Sequence, residues 1–128
     1  MTAKFFLILG SLNAMLTVIL GAFGAHALKN RLSPELLGAY DTAAQYHFYH
    51  ALGLLFVGVL LLSMPQNTLI KYSGLIMFFG ILLFSGSLYA LAISGIKGIG
   101  IITPFGGLCF IAAWLLLAVG VWKDFSIT

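Results

Sequence analysis

The residues able to do chemistry gather at one point of this chain. His26 stands near the end of a long apolar run, and Gln45, Tyr46, His47, Tyr49 and His50 crowd the start of the next. His47 and His50 are three positions apart, hence neighbours on one face of a helix, and an antiparallel hairpin is expected to bring His26 to the same level. Three imidazoles have the donor chemistry for zinc or copper, and one alone can serve as an axial haem ligand. Against this, histidine and tyrosine are amphipathic. At a helix start their polar ends reach water, headgroups or a loop while their rings cover apolar surface. The cluster is therefore read first as a polar membrane-interface group and second as a binding or proton-responsive site. The third reading is a metal or haem site, with His26, His47 and His50 as weak ligand candidates. No cofactor and no resident metal are expected, since a second deep histidine placed to bury a porphyrin is missing from the sequence.

A second set of polar residues lies within apolar runs. Asn13 is one turn from Gly10 and from Thr17, and its amide is costly in lipid unless bonded, so it is expected to face a neighbouring helix. Ser85, Ser87 and Tyr89 are its expected partners, although serines also satisfy themselves on their own preceding turn. Substrate or ion contact is the alternative role. Reactive constellations are otherwise absent from the sequence: no HExxH, no P-loop, no Rossmann glycine pattern and no recognisable Ser-His-Asp arrangement. The acids are Glu35, Asp41 and Asp124, none of them deep in an apolar run, so the embedded carboxylate of a proton-coupled exporter is not found.

The elements that must position these groups follow from composition. Of 128 residues, 62% are hydrophobic and 7% charged, against about 25% charge in a soluble domain. A water-soluble fold is excluded. Four apolar runs, at about 5–28, 43–64, 72–93 and 104–122, are each long enough to cross a bilayer, which predicts an all-α, four-transmembrane-helix bundle forming a single membrane domain over 1–128. Ser33-Pro34-Glu35 reads as an N-cap followed by a first-turn proline, so that a short polar loop or an interfacial helix is expected between spans 1 and 2. Thr103 and Pro104 read as the same pair at the start of span 4. Lys4 and the Ala25-His26-Ala27 triplet imitate a secretory signal, but the apolar segment is long for one, so its retention is expected.

Small residues recur every seven positions in all four runs: Gly10, Thr17 and Gly24; Ala44, Ala51 and Gly58; Ser73, Gly80, Ser87 and Ser94; Gly106, Ala113 and Gly120. Each set marks one helix face and permits close, shallow crossings. Lys4, Lys71 and Lys123 fall at one end of the spans and Lys29, Arg31 and Lys97 at the other, so the positive-inside rule gives no orientation. The net charge of +3 is spread singly, which excludes a nucleic-acid partner. Cys109 is the only cysteine, which excludes an internal disulfide.

Five blocks together carry a family resemblance: Leu9-Gly10-Ser11-Leu12-Asn13-Ala14, Gly21-Ala22-Phe23-Gly24-Ala25-His26, Tyr46-His47-Phe48-Tyr49-His50, Phe84-Ser85-Gly86-Ser87-Leu88-Tyr89 and Thr103-Pro104-Phe105-Gly106-Gly107. Over nearly its whole length the sequence resembles the small bacterial inner-membrane family called domain of unknown function 423, the YgdD-like or YwdK-like proteins. The resemblance implies a multi-span protein of the bacterial cytoplasmic membrane and carries over no catalytic residue. One member's link to membrane integrity admits a membrane-organising role. The expected function is that of a non-enzymatic membrane protein that organises the bilayer or stabilises a partner. Its expected partners are membrane lipids, with a membrane protein or a second copy of the chain beside them. A small-solute or ion transporter or channel, lined by Asn13 and the third-span serines, is the alternative. A metal- or haem-binding protein is the second alternative.

Overall fold

The computed structural model describes residues 1–124 as four long helices. α1 runs Ala3–Leu28, α2 Pro34–Ser63, α3 Thr68–Ser94 and α4 Thr103–Asp124, the last preceded by a 3-10 turn over Lys97–Ile101. Each apolar segment is long enough to cross a membrane. Local chemistry sets the boundaries. The Thr2, Ser33 and Asn67 side chains accept from the amides of Phe5, Leu36 and Ile70, filling donors that a helix start leaves unpaired. α3 ends at Gly95, whose φ of 71° is the left-handed cap that glycine adopts without a Cβ penalty.

Two expected boundaries are corrected. The interfacial helix and span 2 are one continuous 30-residue helix starting at Pro34. Hydropathy locates where a helix enters lipid, whereas the Ser33 cap and Pro34 decide where it starts winding. Thr103 is also no cap standing outside α4: it is the first residue of the helix, and its hydroxyl lies 2.6 Å from that of Ser87 on α3.

The bundle is packed in sequence order, α1 on α2, α2 on α3 and α3 on α4. The recurring small residues form its seams, all of them buried except Ala44 and Ser94. Gly106 shows what they permit. A Cβ there would lie 2.7 Å from the Leu83 carbonyl carbon, backbone on backbone. Between the seams sits a core of Phe6, Leu54, Val57, Leu61, Ile70, Met77, Phe110 and Leu117. The outer faces carry exposed Ile8, Leu12, Val18, Phe56, Leu62, Ile111 and Leu115, a surface that hydrocarbon covers at no cost and water does not.

Two helices depart from regular winding. The last turn of α1, Gly24–Leu28, and a turn in α3, Ile81–Ser85, are wound as π-helix. The second lies beside the polar residues of α1 and α2.

Candidate functional site

The expected interface cluster separates into an inner and an outer group. His47 and His50 are 3% and 5% exposed, whereas His26, Gln45, Tyr46 and Tyr49 face outward. Because α2 begins at Pro34, His47 lies near the middle of that helix, level with Asn13 of α1. His26 is 13 residues further along α1, about 20 Å at the α-helical rise. The hairpin therefore does not gather the three imidazoles. Among the described residues no group of three or more His, Cys, Asp and Glu side chains is placed to hold a metal ion.

His47 is the centre of a bonded chain crossing three helices. Its Nε2 is 2.9 Å from Asn13 Oδ1, and its Nδ1 is 3.0 Å from the hydroxyl of Tyr89 on α3. Asn13 Nδ2 donates to the Leu9 carbonyl at 2.8 Å. A carbonyl only accepts, so the asparagine orientation is fixed with Oδ1 toward histidine. His47 then donates through Nε2–H and accepts the Tyr89 proton at Nδ1. Sequence reasoning placed the partners of Asn13 on the third span. The structure interposes His47 of the second span between Asn13 and Tyr89.

His50, one turn further on, is fixed by a different set. Its Nδ1 lies 2.7 Å from the Tyr46 carbonyl, and the Trp114 indole N–H of α4 donates to its Nε2 at 3.1 Å. One partner only accepts and the other only donates, so His50 carries its hydrogen on Nδ1, the opposite tautomer to His47. Phe110 stacks flat on the ring at a centroid distance of 3.5 Å and an angle of 6°, closing it from the other side.

The remaining polar residues also tie helices together or bond their own turn. Thr17 bonds the Ala14 carbonyl at 2.7 Å and Ser87 the Phe84 carbonyl at 2.9 Å. Tyr40 reaches from α2 to the Leu20 carbonyl of α1 at 2.5 Å. Asn67 caps α3 and also donates to the Gly120 carbonyl of α4 at 2.9 Å. Gln45 donates to Tyr49 on the outer surface at 2.6 Å, and Tyr46 and Tyr49 pack edge to face beside them. Pro104 opens α4 beside Thr103. Ser85 differs: it is fully buried, and its Oγ has no hydrogen-bond partner.

Trp114, Tyr40 and Asn67 were not singled out from the sequence as site residues. Trp114 had a legible signal. A tryptophan in mid-span, away from the interfacial belt, must find an acceptor for its N–H, and histidine is one of few side chains in the spans that can accept.

Comparison with known proteins gives the same architecture a family. The profile of the family described as "Protein of unknown function (DUF423)" matches residues 20–107. A UPF0382 membrane protein of Staphylococcus saprophyticus is 49% identical over 94% of this chain and 98% of its own length. One of Staphylococcus epidermidis is 46% identical over 94% of the chain and 97% of its own. The UPF0382 membrane protein YwdK of Bacillus subtilis is 46% identical over 94% of the chain and 98% of its own. No solved structure matches.

Proposed function

The chain belongs to the DUF423 family of membrane proteins of unknown function, and on that premise we propose that it is a non-enzymatic scaffold of the bacterial cytoplasmic membrane that organises lipid or steadies a partner complex. The observation that carries this reading is the use made of polar side chains within the spans. Asn13, His47 and Tyr89 tie α1, α2 and α3 to one another, while His50 and Trp114 tie α2 to α4. Each such bond replaces an unpaired polar group in hydrocarbon and adds about 0.6 kcal/mol, up to about 1.7 kcal/mol. Their outcome is a fixed bundle whose outward surface is apolar along the helices.

The alternative of a solute path lined by Asn13 and the third-span serines has less support, because Asn13 and Ser87 are committed to bonds with neighbouring helices and with their own turns, and Ser85, although unpaired, is fully buried. A metal or haem centre has less again, since both nitrogens of His47 and of His50 are engaged.

The test is purification at native expression level into nanodiscs, with quantitative proteomics and lipid analysis, alongside deletion of the gene. A stoichiometric protein or enriched lipid together with an envelope defect on deletion is the expected result. Solute flux through liposomes containing the purified protein alone, abolished by Asn13→Leu in a variant that still folds, would contradict the reading.

A further inference from the structure

Lysines stand at both ends of the bundle, and their surroundings differ. Lys97 is 3.7 Å from Glu35, and Lys123 shares a cleft beside Asn67 with Asp124. Lys4, in the first turn of α1, and Lys71, in the first turn of α3, line one cleft of about 480 Å³ that holds no acid among the described residues. Its volume falls within the about 300–1,000 Å³ of small-molecule sites. Thr2 caps α1 and Asn67 caps α3, so two separate helix starts bring the lysines to the same end of the spans, where headgroups and water meet the bilayer.

The rest of the cleft combines donors with hydrocarbon. Thr2 contributes a hydroxyl and Gln66, between α2 and α3, an amide, both able to donate. Leu61 and Leu62 of α2 form its apolar side. Leu61 is buried, whereas Leu62 is 65% exposed and Val59, one turn earlier on the same face, is 52% exposed. Two ammonium groups without a carboxylate call for an anion. An apolar strip leading from them along α2 into the span calls for an anion that carries a hydrocarbon chain, which inorganic phosphate lacks.

We propose that this cleft binds the headgroup of an anionic phospholipid, its phosphate between Lys4 and Lys71 and one acyl chain along Leu62 and Val59. Basic pockets between membrane helices hold anionic headgroups in this way. A zwitterionic lipid is disfavoured, because its own cation would be carried into the field of the two lysines. The proposal rests on the lipid-organising half of the scaffold reading and gives that half a lipid class and a place.

The experiment offers the full chain, in mild non-ionic detergent, equal amounts of dioleoyl phosphatidylglycerol and dioleoyl phosphatidylcholine and counts bound lipid by native mass spectrometry. A phosphatidylglycerol with a diazirine-bearing acyl chain locates the site by its adducts. The expected result is preferential retention of phosphatidylglycerol, adducts on Leu62 and Val59, and no release by excess inorganic phosphate. Lys4→Gln and Lys71→Gln should each lower the preference about fivefold, the worth of one lysine near an anionic headgroup. Their thermal midpoints should stay unchanged, since neither lysine pairs with a carboxylate among the described residues. Lys71→Arg should keep the preference, and so should Lys123→Gln, which removes a charge from the same end outside this cleft. Equal retention of the two lipids, release by inorganic phosphate, or an equal loss in Lys123→Gln would overturn the proposal. A preference undiminished in the folded double variant Lys4→Gln/Lys71→Gln would overturn the site and leave the scaffold reading standing, whereas a wild type that retains neither lipid would remove the site and the lipid-organising half of that reading together.

Discussion

His47 and His50 share a helix face and differ in everything around them. His50 is sealed: Phe110 lies flat on its ring, Trp114 and the Tyr46 carbonyl occupy its nitrogens, and the nearby α3–α4 seam at Gly106 allows no side chain. His47 is equally well bonded, yet its chain borders a cleft, a π-turn and an unpaired serine. One turn of α2 thus separates a contact that holds the bundle from one that leaves room beside it. Residue type alone does not distinguish the two. The partners across the helices do, and they come from positions 34 to 64 residues away in sequence.

That contrast breaks most sharply at glycines. Gly106→Leu should push α3 and α4 apart on the sealed side, costing about 3 kcal/mol as an overpacked contact, and show as loss of the folded peak in detergent chromatography. Gly86→Leu on the open side should leave that peak unchanged, since open space receives its side chain.

A smaller effect is expected at the sealed histidine. His50→Leu strands the Trp114 N–H in an apolar setting, and a loss of about 2 kcal/mol in stability follows. The checks are denaturation in mixed micelles and the indole N–H vibration, which should shift to its unbonded frequency. Smaller still is the coupling between Asn13 and His47. A double-mutant cycle on Asn13→Leu and His47→Leu should give about 0.6 kcal/mol, and at most about 1.7 kcal/mol. Least of all is the ion pair of Lys97 with Glu35, 3.7 Å apart and with both side chains 77% exposed. Lys97→Ala should leave the melting curve where it was, as exposed pairs commonly do.

The architecture is largely legible in the sequence. Length and composition demanded four apolar helices, the seven-residue recurrence of small side chains marked their contact faces, and Ser33-Pro34 marked a helix start. Hydropathy hid the continuity of α2 from Pro34, because the polar residues before Ala43 are helical without being apolar. Counting the span from about residue 43 puts His47 near its start, and winding from Pro34 puts the same residue near the middle of the helix. The pairing of His50 with Trp114 is a long-range packing fact that no local pattern encodes. The π-turn at Ile81–Ser85 is invisible for the same reason, since Ile, Leu and Phe fit an ordinary helix equally well. Asn13 was recognisable as a group in need of a partner, because an amide in hydrocarbon must be bonded. Which helix would supply that partner was not.

The two buried histidines are fixed structural links with opposite hydrogen placement. Solid-state ¹⁵N NMR on histidine-labelled protein in bilayers reads this directly, with His26→Gln removing the third imidazole. The predicted spectrum has two rigid rings, His47 protonated on Nε2 and His50 on Nδ1, each correlated to its partner across the helix. Two rings of the same tautomer, or either ring exchanging between tautomers, would contradict the account.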